Sequence, residues 1–291
     1  STNYTNKSGE TVTQNANVPP APNLSNPSNE YNRLKLVINT GSNPSDTKFA
    51  IAISSDDFVS TQYVKSDTSI GSTFAITDYK DYVAWGGASG FWITGLASNT
   101  TYKVKVKAMQ GDFTESPYGP KTSGVATVSP SISFGIATNP PAGPPYSASF
   151  TGLTGGTVFV ANADAILSLD TNSLSGGEVF IRDNNSGLTS ASAATTISSA
   201  TDDLTSASSG YGAMVTSTSQ STGGPLSSIS PFNGSINNVG GLTTALQKIV
   251  STPGPISGGS ITVQLKAKAT TTTPAATDYN DVVTFIAAML Y

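Results

Sequence analysis

The chain has 291 residues, a formal net charge of −4 and only 11% charged residues, while 81 positions are Ser or Thr. It contains no His and no Cys, which excludes imidazole bases, Ser-His-Asp triads, thiol nucleophiles, thiolate or imidazole metal sites and disulfides. The acidic balance argues against a nucleic-acid partner, and no apolar run reaches the roughly 18 residues of a membrane span.

Residues 1–18 read as an extended N-terminal arm that runs into Val18-Pro19-Pro20-Ala21-Pro22, a stiff segment. Val12, Gln14, Ala16 and Val18 fall on one side of a strand, and Thr11, Thr13, Asn15 and Asn17 on the other. One-faced alternation beside stiff prolines predicts a strand that adds to a sheet, in its own chain or a neighbour's.

Residues 19–129 predict short strands. Leu34–Ile38 precedes the turn cluster Thr40-Gly41-Ser42-Asn43-Pro44. Phe49, Ile51 and Ile53 alternate with Ala50 and Ala52, and Phe91-Trp92-Ile93 follows. From Tyr102 to Ala108, Val104 and Val106 alternate with Lys103, Lys105 and Lys107, which predicts an apolar face inward and a lysine row toward water. The stretch Asp78–Gly90 is dense in aromatics and glycine. Tyr79, Tyr82 and Trp85 are candidate interface aromatics for a glycan or protein partner, and Trp92 is expected in the core.

Leu96-Ala97-Ser98-Asn99-Thr100-Thr101-Tyr102, followed by the alternating valines, resembles the E–F corner of a fibronectin type III domain. In that corner the Tyr ring packs in the core and its hydroxyl bonds back to nearby backbone. Pro19–Leu24, Leu34–Ile38, Phe49–Ile51 and Gly119–Val125 resemble the family's first, second, third and last strands. The second strand lacks the family's core Trp, with Ile38 nearest, and Asp78–Gly90 departs from the family pattern. The resemblance covers residues 19–129 and implies an immunoglobulin-like sandwich.

Residues 130–291 carry eight acids against Arg182, Lys248, Lys266 and Lys268, so this half holds the whole net charge. Regular short strands with Gly, Ser and Asn turns predict a second sandwich. Ile261, Val263, Leu265 and Ala267 alternate with Thr262, Gln264, Lys266 and Lys268. Leu242, Ala245, Leu246 and Ile249 match one face of a short helix. The tail from Thr273 to Phe285 resembles the closing strand of fimbrial and spore-coat-like sandwiches, with Ala276 in place of the family's Gly and Thr277 inserted. Its strand, Tyr279–Leu290, predicts burial on both faces: Tyr279, Val283, Phe285 and Met289 on one, Val282, Ile286 and Leu290 on the other.

Candidate catalytic carboxylates, Asp56-Asp57 and Asp202-Asp203, are adjacent in sequence and point to opposite faces of any strand, so no catalytic residue is expected. Asp183-Asn184-Asn185-Ser186-Gly187 places oxygen donors as a Ca²⁺ loop begins, but lacks the closing Glu. It reads as an Asx-turn, as does the cluster of Asp170, Asn172 and Glu178, so no metal and no cofactor is expected. The sequence thus predicts an all-β chain of two tandem immunoglobulin-like sandwiches with an extended N-terminal arm. The resemblances and the Ser/Thr-rich composition imply a non-enzymatic, secreted subunit of a bacterial filament or pilus-like appendage. Its partner would be itself, as a homopolymer built by strand addition through Val12, Gln14, Ala16 and Val18 and through the C-terminal Val282, Phe285, Ile286 and Leu290. A surface adhesin for glycan or a host or neighbouring-cell surface, and a phage virion or surface-layer component, are the alternatives.

Overall fold

Alternation becomes strand through most of the chain. The computed structural model describes residues 16–111 and 114–290, with the two-residue strands Tyr4–Thr5 and Thr11–Val12. The protein is all-β, with several antiparallel sheets and no α-helix among the described residues. It divides into two compact units, Ser1–Pro130 and Ser131–Tyr291.

In the first unit the strands are β1 (Asn23–Ser25), β2 (Arg33–Val37), β3 (Lys48–Ser54), β4 (Gln62–Val64), β5 (Phe91–Thr94), β6 (Thr101–Met109) and β7 (Val125–Ala126). One sheet runs β1-β2-β5 and the other β7-β6-β3-β4. The long ladder pairs β6 with β3 from Lys103↔Ser54 to Met109↔Lys48. Leu34, Leu36, Phe49, Ile51, Val104 and Val106 meet between the sheets, as period-2 alternation requires. At the corner, the Ala97 N–H donates to the Tyr102 hydroxyl at 2.9 Å, and Leu96 and Tyr102 are buried.

The lysine row of β6 does not face open water. Lys105 lies 4.1 Å over the Phe58 ring and 4.9 Å over Tyr118, and Lys107 lies 4.5 Å over Phe74. The segments after β3, β4 and β6 fold aromatic rings across the sheet, and cation–π attraction of about 0.5–2 kcal/mol each makes lysine a suitable partner there.

The arm differs from its expectation. Thr11–Val12 pairs with Tyr4–Thr5. Residues 16–22 form no strand, Ala16 is buried in the first unit's own core, and Val18 is exposed. Gln14 and the Val12 side chain lie outside the described residues.

The second unit contains β8 (Ile132–Asn139), β9 (Val158–Val160), β10 (Asp164–Thr171), β11 (Gly177–Arg182), β12 (Gly187–Ser190), β13 (Thr195–Ser198), β14 (Gly210–Ser219), β15 (Gln247–Thr252), β16 (Ile256–Lys268) and β17 (Thr284–Met289). In the first sheet β8 pairs with β10, β10 with β16, and β14 with the other edge of β16. The facing sheet runs from Ser227–Ser228 through β15 and β11 to β17. Leu167, Leu169, Val179, Ile181, Val215 and Ile249 form the core between them. The helix expected at 242–249 is instead a turn leading into β15. Leu242 and Ile249 are buried while Leu246 is exposed, so the apolar spacing reflects a strand entering the core after Gly240-Gly241.

Candidate functional site

The second sandwich does not close along one side. There, among the described residues, β8 has a ladder partner only in β10, and β17 only in β11. Beside these two edge strands lies an open groove of about 860 Å³, walled by Ile136, Ala165, Leu265 and Phe285 and by the segments 146–154 and 276–283. Ile132, Phe134 and Ile136 share one face of β8. Phe134 packs on the core and Ile136 lines the groove, yet Ile132 and Ile136 are 39% and 37% exposed. The inward face of an edge strand is thus apolar and incompletely covered, and an uncovered apolar edge is a template for pairing with another chain.

The C-terminal strand is half-buried on one face and more open on the other, rather than buried on both. Phe285 and Ala287 of β17 turn toward the core and remain only half-buried, and the groove passes beside Phe285. On the opposite face Ile286 is 40% exposed and the preceding Val282 55%. Leu290 lies just beyond the strand, half-buried, and its N–H donates to the Gly176 carbonyl at 3.0 Å.

The aromatic candidates of the first unit are not gathered on an open surface. Trp85 is fully buried, and its indole N–H donates to the Phe49 carbonyl at 2.8 Å. Tyr79 is buried against Ala50 and Met109, and Tyr82 is half-buried against the main core. Trp92, expected inside, is half-buried on the outer face beneath the Arg33 guanidinium at 4.4 Å.

Of the adjacent carboxylates, Asp56-Asp57 lies in a turn and Asp202-Asp203 forms a short strand paired with Asn238–Val239. Asp56 accepts from the hydroxyls of Ser60 and Ser54, which hold its carboxyl down at about 2. Asp57 pairs with Lys103 at 2.9 Å and Lys121 at 2.5 Å. Asp203 caps the Thr205 amide at 2.9 Å. Asp170 accepts the Gly258 N–H at 2.7 Å, and Glu178 pairs with Lys248 at 2.7 Å.

Asp183 keeps the turn's local approach of backbone N–H groups, from Ser186 and Gly187, but is buried rather than solvated. Its side chain is 0% exposed and neither carboxylate oxygen has a well-formed hydrogen bond among the described residues, although the Ser186 and Gly187 N–H groups approach it and favour its charged form. Burial, then the neighbouring Asp281 charge, pushes its carboxyl up from the ordinary value. Burial also raises the Tyr211 phenol, with Asp281 and Asp183 adding to the shift. No sequence signal separates a buried Asp183 from a solvated one. The partner that matters, Asp281, lies almost a hundred residues away along the chain.

No protein-family model matches the chain, and no curated protein does either. Among solved structures, titin kinase with its flanking domains is 10% identical, covering 53% of this chain and 30% of that one at a TM-score of 0.26. Chitinase ChiA74 from Bacillus thuringiensis is 13% identical, covering 94% of this chain and 30% of that one at a TM-score of 0.23. The chain thus spans less than a third of either of these chains.

Proposed function

We propose that this protein is a structural, non-enzymatic subunit of an extracellular bacterial filament or pilus-like appendage that assembles with copies of itself by strand addition. The observation carrying this reading is the groove beside β8 and β17, where both sheets end and the apolar interior stays open. A strand laid there would gain main-chain bonds from an edge and seat alternate side chains against Ile136, Leu265 and Phe285. The tail's resemblance to fimbrial closing strands and the Tyr102 corner of a fibronectin type III-like first unit fit the same reading. The adhesin alternative loses its motif, since Trp85 and Tyr79 are buried and Tyr82 packs on the core.

The donor we assign is the N-terminal arm. Ala16 anchors it in its own unit, so the donated residues are those before Ala16, and Thr11–Val12 must leave its pairing with Tyr4–Thr5 to add to a neighbour's edge. Deleting residues 1–14 spares that anchor. The full chain is expected to polymerise in light scattering, and the deleted chain to remain monodisperse. Unchanged polymerisation would reject the arm as donor.

A further inference from the structure

We propose that Asp183 and Asp281 hold a hard divalent cation, Ca²⁺ by class, at the end of the groove in the second unit. Asp183 follows β11 and opens the loop to β12, and its N–H is fixed to the Thr243 carbonyl at 3.0 Å. Its carboxylate is shut away from solvent, and neither oxygen has a well-formed hydrogen bond among the described residues. Asp281 arrives from the C-terminal tail. One of its oxygens accepts the Asn184 N–H at 3.3 Å and the Val282 N–H at 2.8 Å, while the other is buried. Two carboxylates from distant parts of the chain thus converge, and three of their buried oxygens lack a well-formed hydrogen bond among the described residues. The Tyr211 hydroxyl faces the same pair.

Nothing of opposite charge balances them. Among the described residues no ion pair involves Asp183 or Asp281. The unit's lysines are engaged elsewhere: Lys248 with Glu178, Lys266 with the Ile236 carbonyl, and Lys268 with the carbonyls of Leu204 and Thr205. Buried carboxylate oxygens without partners are costly unless a proton or a cation meets them. The chain has no His or Cys, so the site offers oxygen alone, the ligand type of Ca²⁺ and Mg²⁺.

Two carboxylates and a phenol do not complete a shell, and no group of three acids stands within reach among the described residues. Water must supply the remainder. Asn280, Asp281 and Tyr211 line the groove, so water and ion have a route in. Ca²⁺ tolerates such an irregular, partly hydrated shell, whereas Mg²⁺ demands near-octahedral geometry. The bound ion would tie the C-terminal tail to the loop between β11 and β12 and stiffen that end of the groove. The inference does not depend on strand addition.

The test uses the full chain at neutral pH. Millimolar Ca²⁺ is expected to raise the melting temperature by several degrees over EDTA, since a ligand bound only by the native state stabilises it. Tb³⁺ excited through tyrosine is expected to emit and to be displaced by Ca²⁺. Asp183→Asn and Asp281→Asn should each abolish the Ca²⁺ shift and the displaceable emission, while melting in EDTA no lower than the unsubstituted chain. Tyr211→Phe should weaken the emission and reduce the Ca²⁺ shift. A melting temperature indifferent to Ca²⁺ would overturn the proposal. Displaceable emission that survives both Asp variants would overturn it by placing the ion elsewhere.

Discussion

A single hydrogen bond at the first unit's corner isolates what one side chain contributes. Tyr102→Phe keeps the buried ring and removes only the acceptor for the Ala97 N–H. The loss is expected to cost about 1–2 kcal/mol, read as a shift in denaturant midpoint with unchanged slope. This residue was legible because the Leu96-to-Tyr102 spacing encodes one local geometry. Trp85 was not. Core and interface recruit the same aromatic types, and the residue that sinks is chosen by tertiary contacts: Phe91 at 4.6 Å and the Phe49 carbonyl. For Trp92 the signal existed. Phe91 lies opposite Leu36 and Ile93 opposite Leu34, so the residue between them must take the other face, beside Lys35.

At the scale of elements, one carboxylate fastens the C-terminal tail to the β12–β13 hairpin. Asp278 accepts from the Ser190 hydroxyl at 2.5 Å and from the Ser192 amide and hydroxyl at 2.9 and 2.7 Å. Those donors hold its carboxyl well below the usual range, the Ser190 hydroxyl most of all. A depressed carboxyl contributes fully above the unfolded value of about 3.9 and loses that contribution only as pH falls through the lower folded value. The tail is therefore expected to stay docked through mild acid. Asp278→Asn should loosen it at neutral pH, seen as faster amide exchange over residues 276–283. Exchange as slow as in the unsubstituted chain would show that the Asn280–Thr189 backbone pairing suffices. Element type was legible wherever period 2 was clean, as in β6. It was lost where neighbours overrode it. Lys266 and Lys268 alternate outward along β16 yet are buried, because loops carrying Leu204, Thr205 and Ile236 offer their carbonyls. The start of β16, Ile256-Ser257-Gly258-Gly259-Ser260, carries no strand pattern and is held by pairing with β10 and Thr222–Gly223.

At the scale of the whole molecule, alternation reports which face of a strand is apolar but not whether a facing sheet reaches far enough to cover it. For that reason β17 reads as needing two covers, when one face is open to solvent and the other borders a groove. The two faces assign different roles to neighbours in sequence, Phe285 inward and Ile286 outward. Phe285→Ala removes part of the groove wall from a half-buried position. It is expected to cost about 2 kcal/mol, below the 3–5 of a fully buried Phe, and to raise the concentration at which the chain polymerises. Ile286→Asp places a charge on the exposed face of an edge strand. It is expected to change stability by no more than about 0.5 kcal/mol and to leave polymerisation intact, because an incoming strand occupies the groove and not the outer face. Sedimentation of both variants beside the unsubstituted chain separates the two surfaces. Polymerisation lost with Ile286→Asp and kept with Phe285→Ala would move the contact between subunits to the outer face of β17. It would also remove the groove from the assembly mechanism.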